Sequence, residues 1–342
     1  MKLSVKFLLV SFSALLMMSG CAQKVKIKAL APAEVGVMAS KKKVAISKFK
    51  NDKYGLSGKI ESKIASHTLN GKKYFTVVSR KDLNKVVSEQ KLQSSELMDE
   101  HTATRVGKLI GAQAIINGEI ASASATSDKY IEDRVRCLKY VKNQGCIQYQ
   151  KYFVTCRTVQ ASVSANINIV DVETASVIYG DTLTKNYSGD TCKNDLYGSK
   201  ILSKGQAINK LINSISSEFV YKLTPNYIYF SVSLLEDIEI DVTSTQKKRF
   251  ESSLEYIKAS RMDKAYKILQ QLLDEVDGKS YVIAYDLGVV NEAQGKLQDA
   301  KKLYTMADDL TNKPIEEINA ALVRIDNLIA KNKEVKVQMN AK

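Results

Sequence analysis

Residues 73–120 (KYFTVVSRKDLNKVVSEQKLQSSELMDEHTATRVGKLIGAQAIINGEI) constrain the fold most. Phe75, Val77 and Val78 predict a strand, and Lys81 to Leu92 predicts a helix with Leu83, Val86, Val87 and Leu92 inward. Thr102 or Thr104 suits the cap of a second helix carrying Val106, Leu109 and Ile110, which Gly111 ends. Ala112 to Ile120 then predicts a buried strand, in which Gly118 marks a bulge or a close backbone approach. Two strands enclosing two amphipathic helices need a sheet with helices packed on it, so the class is α+β.

Flanking segments extend this unit. KVAISKF (43–49) predicts a first strand, and Leu56, Ile60 and Ile64 mark one helical face that ends near Asn70-Gly71. Residues 159–170 alternate strictly, with Ala161, Val163, Ala165, Ile167 and Ile169 on one side, as in a half-buried strand. A turn at Glu173–Ala175 returns the chain through Val177 to Leu183. Ser199 to Leu223 predicts a long helix, Pro225 stops it, and Tyr227 to Leu235 is a last strand. Residues 121–158 and 184–198 lie between as an extended insertion and a polar loop.

These residues resemble the CsgG family, which includes the curli secretion lipoprotein and periplasmic lipoproteins that activate cell-wall synthases. The resemblance covers about residues 43–224. It lies in Val44-Ala45-Ile46 through Phe49, Phe75 to Arg80, Glu89-Gln90 with Leu92, Gly107 to Ala112 with Gly118, and Val170 to Thr174. Ser79, Glu96 and Gln113 depart from the usual Glu, Gly and Asp. The family's secretion protein extends two loops into hairpins that build a membrane barrel. Here one face of residues 125–136 carries Lys129 and Asp133, and the other Asp128, Glu132, Arg134 and Arg136. Residues 147–155 alternate through Ile147, Tyr149 and Phe153 but are broken by Lys151. Lys or Arg at the bilayer midplane costs roughly 2–4 kcal/mol, so these faces suit lipid poorly. The expectation is loops bridged to each other that cap the domain as a binding surface.

The N-terminus predicts export. Lys2 and Lys6 precede an apolar run from Phe7 to Met18, which is too short to span a bilayer. Met18-Ser19-Gly20-Cys21 resembles a bacterial lipobox, which implies cleavage after residue 20 and lipid on Cys21; a plain signal peptide is the alternative. Ala22 after the Cys implies the outer membrane, facing the periplasm. The chain carries +14. Removing residues 1–20 takes away two lysines and no acids and leaves +12. A basic exported surface fits lipid head groups, cell-wall polymers or acidic proteins, and nucleic acid is not an expected partner. Residues 21–42, with Lys24, Lys26, Lys28 and Lys41 to Lys43, are expected to be a lipidated tether or a soluble spacer.

Cys137, Cys146, Cys156 and Cys192 remain. An even count in an exported chain favours disulfides, and three pairings are open. A zinc site is the alternative, although the spacings lack a CxxC pair and no His is near.

Residues 236–246 are acidic and mark a boundary. Beyond them, 247–331 predicts an all-α tetratricopeptide-like repeat or an ordinary bundle. Ala265 and Ala300 fall 35 residues apart, near the repeat period of about 34, and Leu287, Gly288, Gly295, Tyr304 and Ala307 fit the pattern. A final helix starting near Pro314 (Ile315, Ile318, Leu322, Ile325, Ile329) covers the stack's open end, and the last ten residues are expected to be disordered.

Nothing in the sequence marks catalysis, a metal or a cofactor. His67 and His101 lie outside any cluster and suit solvated helix ends, and no GxSxG, HExxH, Walker or Rossmann pattern occurs. The domains expected are therefore a signal (1–20), a tether (21–42), a CsgG-like domain (43–235) and a helical repeat (247–331). The expected role is a non-enzymatic assembly or scaffold lipoprotein with a protein or peptide partner at the repeat and a possible homo-oligomeric state. The alternatives are an oligomeric secretion pore and a regulator of a periplasmic cell-wall synthase.

Overall fold

The computed structural model describes residues 23–92, 96–97, 99–193 and 201–341. The expected signal and Cys21 lie outside them. The described residues form two compact units, one within 30–226 with 331–341 and one of 23–29 with 227–330.

In the first unit, β2 (Lys43–Ile46) lies parallel to β5 (Thr76–Val77) and to β6 (Ala114–Val141). β7 (Gly145–Asp171) pairs antiparallel with β6, and β8 (Ser176–Cys192) with β7. The five-stranded order is β5-β2-β6-β7-β8. Alternation decides which helices cover which face. Val44, Ile46, Ala114, Ile116 and the row from Ala161 to Ile169 share a core with α1 (Leu56–Ser66) and α4 (Lys204–Leu223). Ala45, Ile115, Val170 and Val172 turn the other way, onto Ala103 and Ile110 of α3 (Glu100–Ile110). α2 (Arg80–Glu89) packs with α3 through Leu83, Val87 and Val106.

The caps explain where these helices start. The Ser79 hydroxyl accepts from the Lys81 amide, so the residue that departs from the family's usual Glu caps α2. α3 is capped by Asp99, whose carboxylate accepts from the Thr102 amide, and not by Thr102 or Thr104. Asp at this place also favours the positive helix end. α4 begins at Lys204, five residues later than expected, because Ser203 and Gln206 form a reciprocal capping box. Gly111 ends α3 at φ 63°, as its position predicted. A side chain at Gly118 would sit 2.5 Å from the Asn166 carbonyl, which confirms the close approach.

Two expectations change here. Asn70 and Gly71 do not end a helix; α1 stops at Ser66, and both residues take positive φ in the turn between β3 (Thr68–Leu69) and β4 (Lys72–Lys73). That is the Asn-Gly hairpin signal, and here it marks a β-turn and not a helix end. The segment expected as a tether is also structured. β1 (Lys24–Ala31) pairs with β9 (Asn226–Ser233), with Val25 and Ile27 buried. A 3-10 turn over Gly36–Ser40 buries Met38 and Ala39. Alternating Lys with Val and Ile in 24–28 gave this strand its period, and charge alone hid it.

The second unit holds β1 through residue 29, β9 from 227, and helices α5 (Ser244–Lys258), α6 (Met262–Glu275), α7 (Tyr281–Ala293) and α8 (Leu297–Asp309). α9 (Glu316–Asn340) contributes its residues through 330. Ala265, Ala300 and Ala307 are fully buried, so small residues sit where helices approach. Glu292 has no exposed side-chain surface and is met by Arg324 at 2.8 Å and the Tyr304 hydroxyl at 2.5 Å. The chain end is helical to Asn340, contrary to the expected disorder. Within the first unit Val335 is buried, and Gln338 donates to and accepts from the Ala33 backbone.

Candidate functional site

Among the described residues, the expected loops are largely strands. β6 is 28 residues long and β7 is 27, so the hairpin that closes at residues 142–144 runs far past the helix-covered sheet. Polar composition led to the loop reading, yet the backbone pairs continuously from Ala114–Asp171 to Val141–Gly145. Asn143 and Gly145 take positive φ. This short Gly-containing turn was the sequence signal for the hairpin. β8 follows β7 as far as Cys192, which lies opposite Cys156.

Both disulfides sit on this arm. Cys156–Cys192 ties β7 to the end of β8, with Cα atoms 3.9 Å apart. Cys137–Cys146 closes the tip, with Cα atoms 5.8 Å apart. Only the first bridge therefore joins the two expected loops, and the second lies within one of them. The Glu132 carboxylate lies 3.4 and 3.3 Å from the Cys156 and Cys192 sulfurs. This Glu-Cys-Cys group has metal-ligand spacing. Zinc binds thiolates, and a disulfide offers none.

Past that bridge only β6 and β7 remain among the described residues, as a ribbon with ten residues in each strand (132–141 and 145–154). At about 3.4 Å per residue it reaches roughly 34 Å. Its faces differ. Arg134, Arg136, Tyr152 and Gln150 lie on one, where Arg136 donates to Gln150 at 2.8 Å and stacks near Tyr152. The other carries Val135, Tyr149 and Phe153, exposed by 56%, 64% and 74%, and is continued at the ribbon's base by Ile131, exposed by 70%. Asp133 and Lys151 interrupt that face as diagonal neighbours.

Nearer the core, the sheet face opposite α1 and α4 forms a polar ladder. Its rows are Ser122–Ser164–Thr184, Ser124–Ser162–Asn186 and Thr126–Gln160–Ser188. The Ser164 and Thr184 hydroxyls lie 2.9 Å apart. A cleft of about 570 Å³ opens along the last two rows. No titratable side chain occurs in these three rows, so they can hydrogen-bond a ligand but cannot act as general acid or base. Tyr130 closes the ladder, donating to Asp190 at 2.6 Å, and this bond raises its pKa.

The histidines lie elsewhere. His101 sits exposed in the first turn of α3. His67 stands at the end of α1, as expected, but its Nε2 is buried without a hydrogen-bond partner, so the ring is not fully solvated. Burial lowers its pKa.

Several solved structures are similar over part of the chain. The LpoB C-terminal domain from Salmonella enterica is 11% identical, with 45% of this chain and 95% of that chain covered at a TM-score of 0.26. A PelC dodecamer from Paraburkholderia phytofirmans is 10% identical, covering 59% and 98% at 0.25. The hypothetical protein CT253 from Chlamydia trachomatis is 15% identical, covering 54% and 95% at 0.28. No curated protein matches the sequence. A family model described as "Curli production assembly/transport component CsgG" matches residues 33–250. That match takes in the five-stranded sheet, its covering helices and the whole disulfide-bearing arm, and the chain belongs to the CsgG family.

Proposed function

We propose that this protein is a non-catalytic assembly component of the bacterial envelope, lipidated at Cys21 and docked to a protein partner through its arm. The ribbon carries the reading. Large apolar patches on a soluble chain mark interaction sites, and a lone two-stranded ribbon is marginal in water. This ribbon exposes Val135, Tyr149 and Phe153 on one face, continued at its base by Ile131, and is closed by a disulfide at its tip. The helices of the second unit support the reading: we read them as a tetratricopeptide-like stack, an architecture that binds partners on its concave face. Membership in a family of assembly and transport components agrees with it.

Crosslinking in intact cells from a photoreactive residue at position 153 tests the main reading. A discrete adduct with an envelope protein is expected, and one that disappears with Ile131→Asn would confirm the face. No adduct from 153, with adducts still forming from the helical unit, would refute arm docking. Metabolic labelling with a lipid precursor tests the anchor: Cys21→Ala should lose both label and membrane fractionation.

One observation favours a second reading, an oligomeric secretion pore. A membrane-spanning strand needs about 9–11 residues. Each ribbon strand supplies ten. Lys151 on the apolar face weighs against it. Conductance in planar bilayers, with heat-stable rings in detergent, would decide for the pore.

A further inference from the structure

A second site lies away from the arm, in the first unit. A cleft of about 470 Å³ is lined by Lys42, Asn70, Lys72, Lys73, Tyr74 and Thr76, and no carboxylate lines it. Lys72 and Lys73 form β4 beside the Asn70-Gly71 turn and are exposed. Among the described residues, no ion pair engages Lys42, Lys72 or Lys73. The Lys42 ammonium lies over the Tyr74 ring, 3.7 Å from its centre, and reaches the Gln338 carbonyl at 3.4 Å. The Tyr74 hydroxyl is buried and has no hydrogen-bond partner.

Each of these features is costly alone. Three lysines around one cleft repel one another, and a buried hydroxyl without a partner forfeits its hydrogen bond. Burial pushes the Lys42 ammonium below its ordinary range and the Tyr74 phenol up to about 12. An anion in the cleft relieves all of them together, since it balances the lysines and accepts from the hydroxyl. The cleft exceeds the size of a bare oxyanion, so a group attached to the anion also has room.

We propose that this cleft binds a phosphoryl group, with Lys42 and the Tyr74 hydroxyl holding it inside and Lys72 and Lys73 at the rim. The inference is independent of the arm and of any pore. Two sources carry the chemistry, free phosphate and a phosphomonoester lipid head group.

The test uses the full chain purified in detergent and two probes. Inorganic phosphate is followed by equilibrium dialysis, and vesicles of phosphatidic acid in phosphatidylcholine by co-sedimentation, with phosphatidylcholine alone as reference. The K72Q/K73Q variant should weaken binding about tenfold or more, as loss of charge-assisted bonds predicts. Y74F should weaken it roughly fivefold, as loss of one hydrogen bond predicts, while its thermal midpoint stays at or above that of the parent. Binding of both probes supports the site for either source. Binding of the vesicles alone, lost in both variants, assigns it to a lipid head group. Failure of both probes overturns the proposal. So does binding unchanged in both variants, or displacement of phosphate by equimolar chloride.

Discussion

The arm and the helical unit solve the problem of stability in opposite ways. The helical unit buries Phe250, Leu269, Ile283, Tyr285, Leu287 and Tyr304 in one continuous core. Its acid Glu292 is enclosed with Arg324 and Tyr304. The ribbon past Cys156 buries almost nothing: only Val154, Cys156 and Cys192 form a small apolar group there. Cross-strand bonds and two disulfides hold it. The difference teaches where function lies. An element with an internal core needs no partner, whereas one that replaces a core with crosslinks leaves its apolar side chains available.

This contrast can be broken from either side. The largest effect is expected from Arg324→Leu. It leaves the buried Glu292 carboxyl without its cation, and losing one partner of a buried pair costs about 3–5 kcal/mol. Hydrogen exchange should then accelerate in α7 and α8 and stay unchanged in the ribbon; acceleration in the ribbon would show that the two regions are not separate in stability. Next, a Cys156→Ala/Cys192→Ala double variant should lose about 2–4 kcal/mol, the usual yield of one bridge. Faster exchange should be confined to residues 131–155 and the end of β8. Unaltered protection there would mean that the ribbon is held by something other than its crosslinks.

Smaller effects sharpen the helical side. The buried Ser280 hydroxyl accepts from the Ile283 amide at 3.2 Å and donates to Glu239 at 2.8 Å. Ser280→Ala should cost about 1 kcal/mol through loss of the α7 cap, read by urea unfolding with a helical probe. Asp286 is fully buried, and although one oxygen accepts from the Leu235 amide at 3.1 Å, the other has no partner. Burial pushes its pKa up, with Glu236 adding to the effect. The folded pKa therefore lies above the unfolded one. Its contribution is most favourable below the ordinary value of 3.8 and declines as pH rises through the folded pKa. Asp286→Asn should raise stability at neutral pH by on the order of 1 kcal/mol and flatten this pH slope. A variant with the parent's slope would show that Asp286 is not the group responsible.

Much of the covered sheet was legible in the sequence. The period of two at Ala161–Ile169 and the helical spacing of Leu56, Ile60 and Ile64 each reflect one solid core behind one face. The arm was not legible in the same way. Its two faces mix charge and apolar groups on each strand, so the period of either strand alone is weak. The exposed face emerges only when Ile131 and Val135 are set beside Phe153 and Tyr149 by pairing. The anion cleft was hidden for a different reason. Lys42 and Tyr74 are far apart in sequence, and neither carries a motif.

Segment by segment, the amino-acid order determined the strand and helix periods, most turn positions, the family and the even set of cysteines, because these depend on neighbours within a few residues. Tertiary structure decided which cysteines pair, that β1 joins β9, how far β6 and β7 continue, and which lysines surround Tyr74. Those outcomes depend on distant residues meeting, and a local pattern does not carry the free energy of that meeting.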